Sequence, residues 1–337
     1  MMNLETTYLG LRLRNPLVAS AGPLSQTVDG IKALADGGAA AVVLYSVFEE
    51  QIRHQAELDA ALVERNAETF GEALSYFPEL PGIDDGDVPA HYLHLVEEGA
   101  KAAGVPVIGS INGSTRGGWT QYARQLEEAG AAAIELNIYF VVGDISLSGR
   151  EVEERHLEIL RSVKQAVSIP VAVKLSPYFS SVGHMCRQLS EAGADGLVLF
   201  NRFLQPEIDI DAMDVEPEVN LSAQVEGRLP RTWIAALHGR VTASLAATSG
   251  VQGPEDVVRY LLAGADVVMS TSALVRHGAD YGHQLLGGLE SWMDTKGYTC
   301  LEDVRGLLSI RHADENAYQR AGYVTALEKA KTTYGGL

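Results

Sequence analysis

Cysteine is almost missing from this chain of 337 residues: Cys186 and Cys300 stand alone and far apart. Two such residues give no Cys-x-x-Cys and no zinc-type spacing, which excludes a disulfide framework and an iron–sulfur cluster held by this chain itself. Basic residues are scarce as well, 26 Lys and Arg against 44 Asp and Glu, for a formal net charge of −18. Nucleic acid and anionic membrane surfaces both require a basic face, so neither is an expected partner. No apolar run is long enough to span a bilayer. The opening Met1-Met2-Asn3-Leu4-Glu5-Thr6 lacks both the basic and the apolar stretch of a secretory leader. These absences lead to the expectation of a reduced, cytoplasmic protein. His91-x-x-His94, followed by Glu97-Glu98, reads as a solvated helix face, and Glu153-Glu154-Arg155-His156 as a charged helix start, so no metal is expected.

Glycine, by contrast, is abundant at 34 residues, and much of it recurs in one pattern. Asp36-Gly37-Gly38-Ala39 runs into Ala40–Leu44, Glu128-Ala129-Gly130-Ala131 into Ala132–Leu136, Glu191-Ala192-Gly193-Ala194 into Asp195–Leu199, and Leu262-Ala263-Gly264-Ala265 into Asp266–Ser270. Each copy reads as a helix end, a left-handed glycine cap and a short apolar strand. The strands are nearly continuously apolar, as parallel strands buried on both faces require. Between the copies, Val105-Pro106-Val107 and Ile169-Pro170-Val171 place Pro at a strand start, where it costs no ladder bond. Eight strands are expected near 15–20, 40–46, 106–111, 133–138, 170–175, 196–200, 242–248 and 266–270. Amphipathic stretches such as Trp119–Ala129, Val152–Ala166, Val182–Ala192 and Pro254–Ala263 separate most of them. Eight alternating units predict an α/β fold, a (β/α)8 TIM barrel forming a single domain over 1–337, in preference to a doubly wound open sheet. Residues 49–96 and 203–230 break the rhythm and are expected as inserted loops on the C-terminal face, with 286–337 as a helical extension.

Barrels of this kind often bind phosphate with the loops after strands seven and eight. Here those loops are Thr248-Ser249-Gly250-Val251, before a helix opening at Pro254, and Ser270-Thr271-Ser272-Ala273. Small residues let backbone N–H groups approach an anion, and hydroxyls add donors. Either loop alone equally suits a tight strand–helix turn; the pair on the last two strands points to a phosphate site.

Several segments then resemble the dihydroorotate dehydrogenase family. Asn15-Pro16-Leu17-Val18-Ala19-Ser20-Ala21-Gly22 is similar to its first-strand motif, and Val171-Ala172-Val173-Lys174-Leu175-Ser176-Pro177 to its fifth, which carries a flavin-contacting lysine. Thr248-Ser249-Gly250-Val251 resembles its phosphate loop, with Ser249 where Gly is usual. The likeness runs in order from about residue 4 to 285. It implies an FMN-dependent oxidoreductase acting on a CH–CH bond of a small polar substrate, a place in pyrimidine biosynthesis, and a homodimer. By resemblance Ala21, Gly22, Ser46, Asn137, Lys174 and Asn201 line the flavin ring, while Ser249, Gly250, Thr271 and Ser272 hold its phosphate. A lysine at the end of an apolar strand is well placed to stabilise charge on a reduced flavin. Asn112, Asn201 and Arg202 are candidates for substrate; a turn into the next helix for Asn112, strand-end capping for Asn201 as for Asn137, and a rim salt bridge for Arg202 are the alternatives.

Departures from the pattern bear on chemistry. The family's base position falls on Phe140, which cannot accept a proton; the adjacent Tyr139 is the catalytic candidate beside Lys174, able to act as an acid but a poor base at neutral pH unless tuned. Tyr45-Ser46 replaces a lysine before serine, and the acidic insertion replaces an asparagine-rich substrate segment. The flavin seat is therefore expected to be retained and the substrate seat rebuilt. Two rival readings stand beside this one: a flavin-free barrel lyase or isomerase on a phosphorylated substrate, and a catalytically silent flavin-binding protein.

Overall fold

The chain opens with a hairpin of β1 (Thr6–Tyr8) and β2 (Leu11–Leu13), turned at Leu9 and Gly10. The computed structural model describes residues 2–52, 88–113, 119–138, 145–202, 206–216, 220–312, 318 and 320–334. After the hairpin come β3 (Leu17–Ala19), β4 (Ala41–Val43) with its short continuation β5 (Val47–Phe48), β6 (Val107–Gly113), β7 (Ala133–Ile138), β8 (Val171–Leu175) and β9 (Gly196–Leu199). A second hairpin, β10 (Glu207–Asp209) and β11 (Asp214–Glu216), precedes β12 (Ser244–Ala247) and β13 (Val267–Ser270). Strands β3, β4, β6, β7, β8, β9, β12 and β13 pair in parallel in that order, and β13 returns to β3. The ring is closed, so the barrel prediction holds and the open sheet is excluded.

The repeated motif accounts for much of this regularity. Gly38, Gly130, Gly193 and Gly264, one in each copy, have φ between 94° and 115°, a region costly to any residue with a Cβ. Helices α1 (Val28–Asp36), α2 (Val88–Ala102), α3 (Trp119–Glu128), α4 (Gly149–Ala166), α5 (Val182–Glu191), α6 (Arg228–Leu237) and α7 (Pro254–Ala263) connect the strands, followed by α8 (Ser272–His277), α9 (Tyr281–Lys296) and α10 (Arg320–Tyr334). Helix α4 starts three residues before the expected Val152 because Ser148 caps it, accepting from the Glu151 N–H while Glu151 accepts from the Ser148 N–H.

Two cores result. One lies between strands and helices; the other fills the barrel with Val18, Val43, Ile108, Ala133, Ala172, Val198, Ala246 and Met269. Tyr8, Leu9 and Leu13 of the first hairpin close its lower end, where Leu9 N–H donates to Ser244 Oγ at 3.2 Å.

Part of the expected 49–96 insertion is not a loop: from Val88 it is helix α2, whose Tyr92, Leu95 and Val96 are buried against the barrel. His91 and His94 face solvent. The second insertion yields the β10–β11 hairpin, and Arg228 already starts α6. Residues 53–87, 203–205 and 217–219 lie outside the described set.

Candidate functional site

Side chains alternate across a strand, so the residues two positions above the interior apolar set also point into the barrel. On β6, β7 and β8 these are Ser110, Glu135 with Asn137, and Lys174, all buried. Lys174 Nζ donates to Glu135 Oε1 at 3.2 Å. Asn137 Nδ2 donates to Ser110 Oγ at 2.9 Å and to Ser46 Oγ at 3.2 Å, and the two hydroxyls lie 2.8 Å apart. Tyr92 braces this cluster from α2, accepting the Ser110 N–H at 2.8 Å. Burial pushes the Tyr92 hydroxyl well above the ordinary tyrosine range, so it stays protonated.

Ser46 reaches the cluster through an irregularity in strand two. Val43 pairs with Ile108 and Val47 with Ile111, so four steps on one strand match three on the other. That extra residue is a bulge, and it turns Ser46 inward. Asn112 lies in register with Asn137 on one side and Phe48 on the other.

Beside this cluster, on the C-terminal face, opens a cleft of about 290 Å³. Ala21, Gly22, Lys174, Asn201, Arg202, Ser249, Thr271 and Ser272 all line it. The ends of β3 and β13 meet there: Thr271 Oγ1 donates to the Ser20 carbonyl at 2.9 Å, and a Cβ on Gly22 would collide with the Thr271 methyl. Ser270 lines the cleft as a residue, and its Oγ is buried with no hydrogen-bond partner among the described residues.

The loop after β12 forms the other wall. Ser249 and Gly250 both have positive φ, 77° and 69°. Tyr260 of α7 holds the loop by donating to the Ser249 carbonyl at 2.6 Å. Ser222, from the excursion after β9, lies against it: its Oγ accepts the Gly250 N–H at 3.3 Å and donates to Ser272 Oγ at 3.0 Å. Asp256, fully buried, ties these pieces together by accepting from Gln224 Nε2, from the Gln252 and Gly253 N–H groups, and from Arg259.

A second hollow of about 320 Å³ shares Phe200, Asn201, Arg202 and Ser249 with the first. Arg202 is paired there with Glu226 at 3.2 Å, so the rim salt bridge describes its state. Tyr139 and Phe140 fall outside the described residues. Sequence reasoning passed over Glu135, Ser110 and Ser222. The first two were within reach: each sits two positions from an inward-facing neighbour on its own strand. No local signal marks Ser222, which arrives by the long excursion. The nearest approach to a metal-ligand group among the described residues is the solvent-side set His94, Glu97 and Glu98 on α2, whose glutamates pair with Lys101. No described helix is long and apolar enough to cross a membrane.

Comparison with known proteins matches this geometry to a family. The family model described as dihydroorotate dehydrogenase matches residues 79–293, well over half of the chain. The chain is 28% identical over 314 residues to the catalytic subunit of dihydroorotate dehydrogenase B (NAD(+)) from Thermoplasma acidophilum, covering 91% of this chain and 99% of that one. It is 27% identical to the Methanothermobacter thermautotrophicus subunit of the same name, covering 90% and 98%. The Listeria monocytogenes subunit is 30% identical over 237 residues, covering 67% and 73%. Closed parallel barrel, interior lysine on β8, small-residue loops after β12 and β13 and a match across most of the sequence agree: this chain belongs to the dihydroorotate dehydrogenase family.

Proposed function

We propose that this chain is an FMN-dependent oxidoreductase that oxidises or reduces a CH–CH bond of a small polar substrate, with a dihydroorotate-like acid as the first substrate class to test. The observation that carries the reading is Lys174, a buried ammonium that opens onto the cleft between the β3 rim and the β12–β13 loops. The residues present fit a phosphate-bearing flavin. The cleft offers a cation at its base, and hydroxyls and a left-handed backbone turn at one wall. FMN held there would supply hydride chemistry.

The chain's own groups have separable tasks. Ser249, Thr271 and Ser272, which line the cleft, would hold the phosphate with N–H and O–H donors, while Gly250, its N–H donated to Ser222, shapes the turn of a loop that Tyr260 and Asp256 keep in place. Gly22 leaves the β3 rim flat enough for a planar ring to approach. Ser46 and Asn137 present a preset polar edge, since Ser110 fixes both. Lys174 stabilises negative charge as it develops. Asn201, Asn112 and Arg202 are the candidates for contact with substrate, Arg202 by exchanging Glu226 for a substrate carboxylate. Phe140 at the family's base position leaves proton transfer to Tyr139 or to a group of the substrate's surroundings. The relatives are named catalytic subunits, which favours an assembly with a partner chain; a homodimer core is proposed on the family resemblance.

The test is the visible absorption spectrum of purified protein before and after adding FMN. Flavin bands that persist through desalting are expected, with reduction by a member of a dihydro-acid panel. Lys174→Ala should weaken FMN binding or slow flavin reduction at least tenfold, roughly 1.4 kcal/mol. A colourless protein that takes up no FMN would overturn the reading and point to a phosphorylated substrate in the same cradle. Flavin bands that no substrate bleaches would favour a silent flavin binder.

A further inference from the structure

Glu135 takes no part in holding cofactor or substrate in the assignment above, yet it is the strongest electrostatic feature beneath it. It lies on β7 at 1% exposure, two residues below Asn137 on the same face. Its Oε1 accepts from Lys174 Nζ at 3.2 Å, while its Oε2 has no hydrogen-bond partner among the described residues. A carboxylate placed in an apolar barrel is retained at a desolvation cost, and a lysine beside it is the group that cost serves. The titratable groups facing the pair are Tyr8 from the closing hairpin and Tyr92 from α2. Both hydroxyls are pushed well up, first by burial and further by Glu135, so both stay neutral. Asp266, the other acid felt by Tyr8, is tied to Arg305. The remaining interior neighbours, Ile108, Val198, Ala246 and Met269, carry no charge.

We propose that Glu135 is a positioning residue and resident counter-charge for Lys174: it holds the ammonium aimed into the cleft, and by opposing that charge it sets how strongly the site favours reduced over oxidised flavin. The second part rests on the FMN reading. A flavin that takes up two electrons and one proton gains one negative charge. A lone Lys174 would favour that form strongly; a Lys174–Glu135 pair favours it less, because the carboxylate opposes the same charge from below. Glu135 thereby holds the bound flavin at a lower potential than the lysine alone would.

Glu135→Gln preserves shape and one acceptor while removing the charge, and two measurements separate the parts. In flavin-free protein, thermal unfolding is followed from pH 6 to pH 10. Without its counter-charge, buried Lys174 should titrate below its ordinary range. The sign follows: a lysine whose folded pKa is lowered costs stability while it must be held charged, and the cost fades as pH rises. The unfolding midpoint of the variant should therefore fall below wild type at pH 7 and converge on it towards pH 10. In flavin-loaded protein, preference for reduced over oxidised FMN should rise tenfold to a hundredfold, a midpoint shift of about 30 to 60 mV for a two-electron couple. Glu135→Asp should restore both properties in part.

A constant offset across pH together with an unchanged potential would reduce Glu135 to packing and overturn the proposal. Wild-type protein that binds no FMN would remove the cofactor reading while the pH profile still decides the pairing. If Glu135→Gln does not fold, the double variant Glu135→Gln, Lys174→Met decides. A double variant that folds supports charge pairing; one that also fails argues for packing alone and overturns it.

Discussion

At the scale of single residues the cleft stores its tension in the backbone of Ser249. With φ at 77° it sits where side chains with a Cβ are strained, at the position where the family resemblance leads one to expect Gly. The departure was visible in the sequence; its physical reason is the left-handed turn. Part of the strain is offset by Ser249 Oγ donating to the Phe200 carbonyl at 3.3 Å, a long bond, while Tyr260 grips the Ser249 carbonyl whatever the side chain. Ser249→Gly is therefore expected to stabilise the protein by roughly 0.5–1 kcal/mol, the relief exceeding the lost hydrogen bond. Chemical denaturation of flavin-free protein checks this, and a destabilised variant would show that the hydroxyl matters more than the turn. Gly250, with φ at 69°, leaves no such room: a Cβ there would run into the Gly227 backbone.

Elements were legible to different degrees for identifiable reasons. The eight barrel strands fall within about three residues of expectation because most are announced twice, by a glycine or proline near the start and by an apolar run with β-branched residues; β12, Ser244-Leu245-Ala246-Ala247, carries neither signal and is placed by its slot in the alternation. The β1–β2 hairpin was not legible: three-residue strands carry too little periodicity, and its turn uses Leu9 at positive φ, which no composition rule flags. Nor was the bulge that turns Ser46 inward, since one extra residue leaves no trace in hydropathy. Helix α4 shows the limit of reading charge alone. Glu153, Glu154 and Arg155 do form a polar stretch, but His156 is buried, with Nδ1 at 2.8 Å from the Val152 carbonyl and its ring edge-on to Phe179 at 5.2 Å. Burial lowers its pKa below the ordinary histidine value. The folded state then binds fewer protons than the unfolded one. Its contribution is present above about pH 6.5 and is lost as pH falls from there towards the lowered folded value. Thermal unfolding between pH 7 and pH 5 should show this loss, and His156→Gln should flatten that part of the profile; identical slopes in the two proteins would clear His156 of the role.

On the scale of the whole molecule, the barrel is built with two unlike ends, and that asymmetry puts the polar chemistry at one of them. Strands β6, β7 and β8 carry the apolar Ile108, Ala133 and Ala172 low in the barrel and Ser110, Glu135, Asn137 and Lys174 above. Tyr8, Leu9 and Leu13 of the closing hairpin pack under the lower end, and Lys174 of the upper layer lines the cleft at the other end. Gly196 makes that packing possible. A Cβ there would lie 2.5 Å from Leu9 Cδ2 and 3.3 Å from Tyr8 Cε2, so any side chain at the first residue of β9 would push Leu9 out of its seat. Gly196→Ala should cost about 1–3 kcal/mol through overpacking. The cleft lies at the opposite end, so if the proposed FMN site is there its affinity should change less than twofold. Leu9→Ala should recover part of the loss in the Gly196→Ala background while destabilising wild type, because the methyl then fills space that Leu9 vacates. A double-mutant cycle on unfolding free energy measures that coupling. Strictly additive effects would mean that the hairpin rests on the barrel without sealing it, and the separation between a closed apolar end and an open polar end would lose its structural basis.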